Sequence, residues 1–303
     1  MDKLAFRPED YSDAGNATVF EKTFREQALW TRGGGWFVWD GMRWRANDQA
    51  AVKLARMFSS AMLEEACILL QETENHTYLD HAVKTRRVSS LNAMLQLAQS
   101  GLMRELIELD ADPFDLNTPG GIIDLRTGET RPHDPKALCT RITGATPGDE
   151  GRELWNELLN TITQGDDKLI NFHQQVAGMA LIGKVFHEGI IIAVGGGRNG
   201  KSTFYNALGG AFGDYAGYIA VSALTNDRGN KGASLATLRG RRLALTGELE
   251  ECQRLSVATL KQLASTDMLV AEEKYKAPEA FRQSHTICLF TNHMPRVGST
   301  DGG

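Results

Sequence analysis

Apolar residues recur at three- and four-residue intervals from Gln49 to Leu70 and again from Tyr78 to Leu109. That spacing lays one apolar stripe along each helix and predicts amphipathic packing helices over both stretches. Ahead of them, Trp36-Phe37-Val38-Trp39, Asp40-Gly41 and Met42-Arg43-Trp44 read as a β-hairpin, because Asp-Gly tolerates the positive φ angles of a tight turn. The cluster of Trp30, Trp36, Trp39 and Trp44 could stack on bases, but such a cluster is more often the core of a small domain. Helical periodicity returns at Glu153 to Ile162 and Asp167 to Ile182, and the pattern changes at Gly183. From there short apolar runs dominate: Gly189 to Val194, Leu243 to Leu245 and Thr286 to Phe290, each the length of a buried strand.

Five of the eight prolines fall between residues 113 and 147, which reads as a connector. Within it, Gly121-Ile122-Ile123-Asp124-Leu125 and Thr127-Gly128-Glu129 predict a short hairpin. No internal repeat or low-complexity tract interrupts the chain. Its 303 residues suit about two domains at roughly 150 residues each, and the expected division is 1–150 and 151–303. A hydrophobic fraction of 42% with 23% charged residues excludes a wholly disordered chain.

The net charge of −5 provides no global field for a polyanion, so any nucleic-acid contact has to be local. Residues 1–184 carry 20 basic against 27 acidic side chains and residues 185–303 carry 13 against 11, which makes the second part the better partner for a polyanion. Cys67, Cys139, Cys252 and Cys288 lack paired spacing, which argues against a zinc ribbon and against a secreted disulfide framework. Met1 to Asp13 has no apolar signal-peptide core, and Ile190 to Val194 is far too short to cross a bilayer. The expectation is a cytoplasmic protein with no membrane contact.

The chemistry concentrates after the apolar run 189–194. Gly195-Gly196-Gly197-Arg198-Asn199-Gly200-Lys201-Ser202-Thr203 is a GxxxxGK[ST] motif placed directly after a strand. Glycines let backbone N–H groups turn around phosphate oxygens, Lys201 reaches the β/γ-phosphates, and the Ser202 hydroxyl suits Mg²⁺. The motif therefore predicts ATP and Mg²⁺ as ligands, held by Gly195, Gly197, Arg198, Asn199, Gly200, Lys201, Ser202 and Thr203. Gly33-Gly34-Gly35 lacks the following Gly-Lys and reads as a loop.

Such a site also needs carboxylates at the end of a neighbouring strand, to hold hydrated metal and to polarise water. Arg242-Leu243-Ala244-Leu245-Thr246-Gly247-Glu248-Leu249-Glu250-Glu251 supplies them. Glu248 is the first choice for Mg²⁺, and Glu250 or Glu251 for the water, with Glu250 provisionally preferred. A third run, Thr286 to Thr291, ends in Asn292, whose amide can orient water or touch a γ-phosphate. Asp110-Ala111-Asp112 is a nominal metal-binding pair, but before Pro113 it reads as a loop cap.

Together these segments resemble the superfamily 3 DNA helicases of the phage, plasmid and poxvirus replicative helicase-primase type. Gly195 to Thr203 matches motif A, Arg242 to Glu251 motif B, Leu260 through Asp267 to Phe281 motif B′, and Thr286 to Pro295 motif C. Upstream, Gly121 to Gly128, Pro132 to Pro135 and the helices from Leu154 to Gly183 resemble the helicase-associated N-terminal region.

The resemblance implies an α/β fold. Its P-loop AAA+-like core has a central, mostly parallel sheet, and a mainly helical α+β N-terminal domain precedes it. It further implies a homo-oligomeric ring, usually hexameric, acting on single-stranded DNA, with Lys201, Glu248, Glu250 and Asn292 catalytic. Lys274, Tyr275 and Lys276 are the DNA-contacting candidates within motif B′, since ammonium groups track phosphates while an aromatic ring stacks. A bacterial host cytoplasm, with the gene carried by a phage or prophage, is the setting implied. The family supplies an arginine finger beyond motif C, which is not seen before Gly303, so slow hydrolysis is expected. The competing readings are a P-loop phosphotransferase and a nucleotide-gated DNA-binding assembly module without unwinding.

Overall fold

Helix and strand signals of the first hundred residues fold back on one another in the computed structural model, which describes residues 5–74, 76–225, 237–247, 249, 251, 253–271 and 279–297. The chain divides into two compact units, Met1–Leu109 with Asp134–Thr140, and Asp110–His133 with Arg141–Gly303.

In the first unit, α1 (Asp13–Phe24) starts at Ser12, whose hydroxyl accepts from the Gly15 N–H. Three antiparallel strands follow, β1 (Ala28–Thr31), β2 (Gly35–Trp39) and β3 (Trp44–Ala46). Trp39 pairs with Trp44, so the connecting loop holds four residues instead of the two expected. Asp40 Oδ1 accepts from the Met42 and Arg43 N–H groups and fixes that longer loop. Trp36 and Trp44 are buried, the former in the helical core and the latter beside Leu29 and Phe37.

Helix α2 (Asp48–Thr73) is capped by the Asn47 side chain. The run expected as one helix from Tyr78 is instead α3 (His76–Thr85) and α4 (Val88–Ala98), because Arg87 is extended at φ −68°, ψ 144°. No glycine or proline marks the break; burial of Tyr78 and Ala82 on one helix and Leu91, Met94 and Leu95 on the other decides it. Phe20, Phe58, Met62, Tyr78 and Met94 form the centre of this unit's core.

The proline-rich stretch is a meander in the second unit: β4 (Asp115–Thr118), β5 (Gly121–Asp124) and β6 (Thr130–Arg131). The β5–β6 connection is the expected hairpin, with Gly128 at φ +78°. The unit boundary thus differs from residue 150, since 110–133 and 141–150 group with the C-terminal half of the chain. Hydrogen bonds explain the grouping: the Asn117 N–H donates to the Tyr215 hydroxyl, and Asn117 Nδ2 to the Arg141 carbonyl. Asp112 accepts from the Phe114 N–H and from Arg126, the loop-cap arrangement.

Then come α5 (Arg152–Thr163), α6 (Asp167–Leu181), β7 (Ile190–Val194), α7 (Lys201–Phe212), β8 (Ala216–Ile219), α8 (Val221–Leu224) and β9 (Leu243–Thr246). They are followed by β10 (Arg254–Leu255), α9 (Val257–Ala264), β11 (Met268–Ala271), β12 (Glu279–Arg282), β13 (Thr286–Thr291) and β14 (Arg296–Val297). The central sheet is parallel throughout, in the order β7-β13-β9-β8. Mixed α/β architecture with a parallel sheet, after a helical N-terminal region, is therefore observed. No helix among the described residues is long and apolar enough to cross a membrane.

His285, just before β13, is 3% exposed, and neither ring nitrogen has a hydrogen-bond partner of good geometry among the described residues. Burial pushes its imidazole down from 6.5 to about 4, and the neighbouring Leu263 backbone opposes this only in part. The unfolded chain therefore takes up a proton as pH falls through 6.5 while the folded chain does not until about 4. Stability present above pH 6.5 is lost over that window, by up to about 3 kcal/mol. Denaturant unfolding at pH 7.5 and 5 should show this loss, and His285→Phe should flatten it; an equal loss in the variant refutes the assignment.

Candidate functional site

The β-branched run of β7 ends at Val194, and residues 195–200 turn directly into α7. Arg198 and Gly200 have positive φ, 63° and 82°, whereas Asn199 between them does not. Such alternation aims successive N–H groups into one concavity and makes an anion-binding nest. A left-handed arginine is uncommon and costs backbone energy. Gly200 caps α7 without a side-chain hydrogen bond, which leaves the first-turn amides open to another acceptor. Residues 196–199 are exposed, as are Ser202 and Thr203, and a Cβ on Gly196 or Gly197 would meet nothing within 4 Å.

Gly200 is the crowded position. A Cβ there would stand 2.5 Å from Ile162 Cγ2, so α5 presses on the loop where the backbone is already left-handed. Gly200→Ala should cost about 1–2 kcal/mol from the backbone alone, and more from the contact. Placing it on an Ile162→Ala background should remove the excess; equal unfolding midpoints for Gly200→Ala and the native chain would contradict this.

Lys201 Nζ donates to the Gly195 carbonyl at 2.6 Å, to Asn199 Oδ1 at 2.9 Å and to Asn292 Oδ1 at 3.3 Å. The last contact joins residues 91 apart in sequence, and sheet topology produces it: β13 lies beside β7 with Thr291 in register with Val194. Thr291 ties the edge together further. Its carbonyl accepts from the Gly195 N–H, and its hydroxyl accepts from the N–H groups of Leu249 and His293. Tyr205 of α7 stacks on Phe290 of β13, ring centroids 5.1 Å apart, so helix and strand carry Lys201 and Asn292 as one packed body.

On the other side of β13, all four residues of β9 are buried. Leu249, only 3% exposed, anchors the segment after β9. Thr246 Oγ1, at the end of β9, is buried without a hydrogen-bond partner among the described residues. Glu251 is exposed. Glu248 and Glu250 lie outside the described residues, as do Lys274, Tyr275 and Lys276. With β13 between them, β7 and β9 are two strand spacings apart, about 10 Å. The exposed nest, the open first turn of α7 and the partnerless Thr246 hydroxyl are compatible with a triphosphate and a divalent ion.

Thr246, Thr291 and Ile162 were not singled out by sequence. Both threonines close apolar strands, and a hydroxyl at that position is the signal that marks them. Ile162 carries no such signal, because its role comes from packing against Gly200.

Residues 17–164 match the family described as D5 N terminal like, and residues 193–302 match a family of unknown function, DUF5906. No curated protein matches the chain. Among solved structures, the apo NrS-1 C terminal region is similar over 50% of this chain and 36% of its own, at 16% identity and a TM-score of 0.40. The A form apo structure of that region is similar over 52% and 37%, at 17% identity and 0.40. The chain therefore spans well under half the length of these structures.

Proposed function

We propose that the chain is the ATP-driven part of a replicative DNA helicase of the phage and plasmid primase-helicase type. In this reading it is an AAA+-like P-loop NTPase that uses Mg²⁺, acts as a hexameric ring, and moves along single-stranded DNA in a bacterial cytoplasm. The observation that carries it is the meeting of Lys201 with Asn292 across two adjacent parallel strands. The match of residues 17–164 to the D5 N-terminal-like family supports the replication setting.

In this mechanism the amides of the Gly195–Gly200 loop and the first turn of α7 bind the triphosphate tail. Lys201 exchanges its three oxygen partners for phosphate oxygens and neutralises their charge. Ser202 and Glu248 would hold Mg²⁺, which would supply Lewis-acid stabilisation of phosphate charge. Glu250 orients and polarises the attacking water. Asn292, released by Lys201, reports the γ-phosphate to β13, and Lys274, Tyr275 and Lys276 contact the strand.

Hydrolysis of ATP by the full chain should rise on adding a 30-nucleotide oligo-dT, and Lys201→Ala should abolish it. Hydrolysis insensitive to saturating oligo-dT would refute movement on DNA and favour a phosphotransferase. Nucleotide-dependent assembly with no hydrolysis, even when the segment that carries the arginine finger is supplied, would favour an assembly module.

A further inference from the structure

The segments that leave the C-terminal ends of β9 and β13 meet again as the two-stranded parallel ladder β10–β14. Leu255 is 1% exposed and belongs to the core beneath, and the Ser256 N–H is bonded to the Leu224 carbonyl. That anchoring fixes the register, and side-chain alternation then turns Arg254 outward. Arg254 is the Cα partner of Arg296, and both are exposed. Like charges opposite one another weaken a ladder. Neither guanidinium makes an ion pair or hydrogen bond among the described residues, although the chain as a whole is acidic. Arg296 is four residues from Asn292, so its Cα lies within about 14 Å of that of the residue touching Lys201.

We propose that Arg254 and Arg296 together form a phosphate-binding site separate from the glycine loop. Neighbouring strands are roughly 4.8 Å apart, so two guanidinium forks on one face can converge on the oxygens of one phosphate group. The repulsion between them is relieved when that anion arrives. Two sources carry this chemistry: the backbone of a single strand and the phosphate tail of a nucleotide. The strand source rests on the DNA-helicase reading; the site itself does not.

The test uses the full chain, with fluorescein-labelled 30-nucleotide oligo-dT in one arm and Mg·ATP in the other. Arg254→Gln/Arg296→Gln is compared with Arg254→Lys/Arg296→Lys and with Lys201→Ala. Loss of two charge-assisted contacts should weaken binding of the responsible probe about tenfold or more. The lysine pair, which keeps charge but not the fork, should restore part of it and guards against a folding defect. If the strand is the source, the double glutamine variant also lowers the slope of log affinity against log salt by about 0.7, the value for one phosphate on a single strand. If the nucleotide is the source, Mg·ATP affinity falls and oligo-dT binding does not. Unchanged affinity for both probes overturns the proposal. Lys201→Ala separates this from the P-loop reading: retained Mg·ATP binding in that variant refutes the loop's role and leaves the arginine site standing or falling on its own variants.

Discussion

On the proposed function, Mg·ATP should raise the melting temperature of the chain, and replacing Lys201 with alanine should abolish that rise while leaving the unliganded melting temperature almost unchanged. A ligand at a hundred times its Kd stabilises the folded state by about 2.7 kcal/mol. For a folding unit of about 150–250 residues that is a rise of roughly 5–10 °C. In Lys201→Ala the rise should shrink to about 1 °C, because the ammonium already sits among oxygens at the loop, bonded to Gly195, Asn199 and Asn292. The unliganded fold should lose less than about 1 kcal/mol, since the freed oxygens lie at a part-exposed loop where water replaces the lysine. Differential scanning fluorimetry with and without Mg·ATP measures both quantities. An undiminished rise in the variant would exclude the P-loop as the nucleotide site.

The loop and its two neighbouring strands were legible because each is a short apolar run that ends abruptly: Val194 before three glycines, Thr246 before Gly247, Thr291 before Asn292. Their order was not. Nothing in the spacing says that β13, last in sequence, inserts between β7 and β9; that pairing comes from burying both faces of Cys288 and Leu289 in different cores. The contact between Lys201 and Asn292 depends on that insertion. The proline-rich stretch was legible only in part: the β5–β6 hairpin was expected, but β4 and the grouping of the stretch with the C-terminal half were not. Its strands are two to four residues long, too short for alternation to show, and they are held by bonds from Asn117 to Tyr215 and Arg141. The single helix expected from Tyr78 failed because Arg86-Arg87 carries no breaker, and only tertiary packing separates α3 from α4. The expectations for Glu248, Glu250 and the Lys274–Lys276 segment fall outside the described residues.

Replacing Arg242 should cost more stability than any change at the glycine loop. Arg242 is 3% exposed, and it opens the same segment that ends in the candidate acids. Its Nη1 donates to the Leu181 carbonyl at the end of α6, and its Nη2 to the Asp115 carbonyl of β4, both at 2.5 Å. The guanidinium also lies 4.4 Å from the Tyr215 ring centroid. One side chain thus joins the meander, α6 and the start of the central sheet, at the strand ends opposite the loop. Arg242→Ala removes the cation and leaves two carbonyls unpaired, each costing about 1–3 kcal/mol, while release of the cation's own desolvation offsets part of the loss. The net should be about 3–5 kcal/mol. Arg242→Met keeps most of the volume, so it separates packing from hydrogen bonding and should still lose more than half of that. Arg242→Lys cannot span both carbonyls and should recover less than half. Urea unfolding of the three variants measures this, and an Arg242→Met chain within about 1 kcal/mol of the native one would refute the assignment. Because the contacts lie at the far strand ends, any variant that still folds should keep its Mg·ATP-dependent rise, which Lys201→Ala should not.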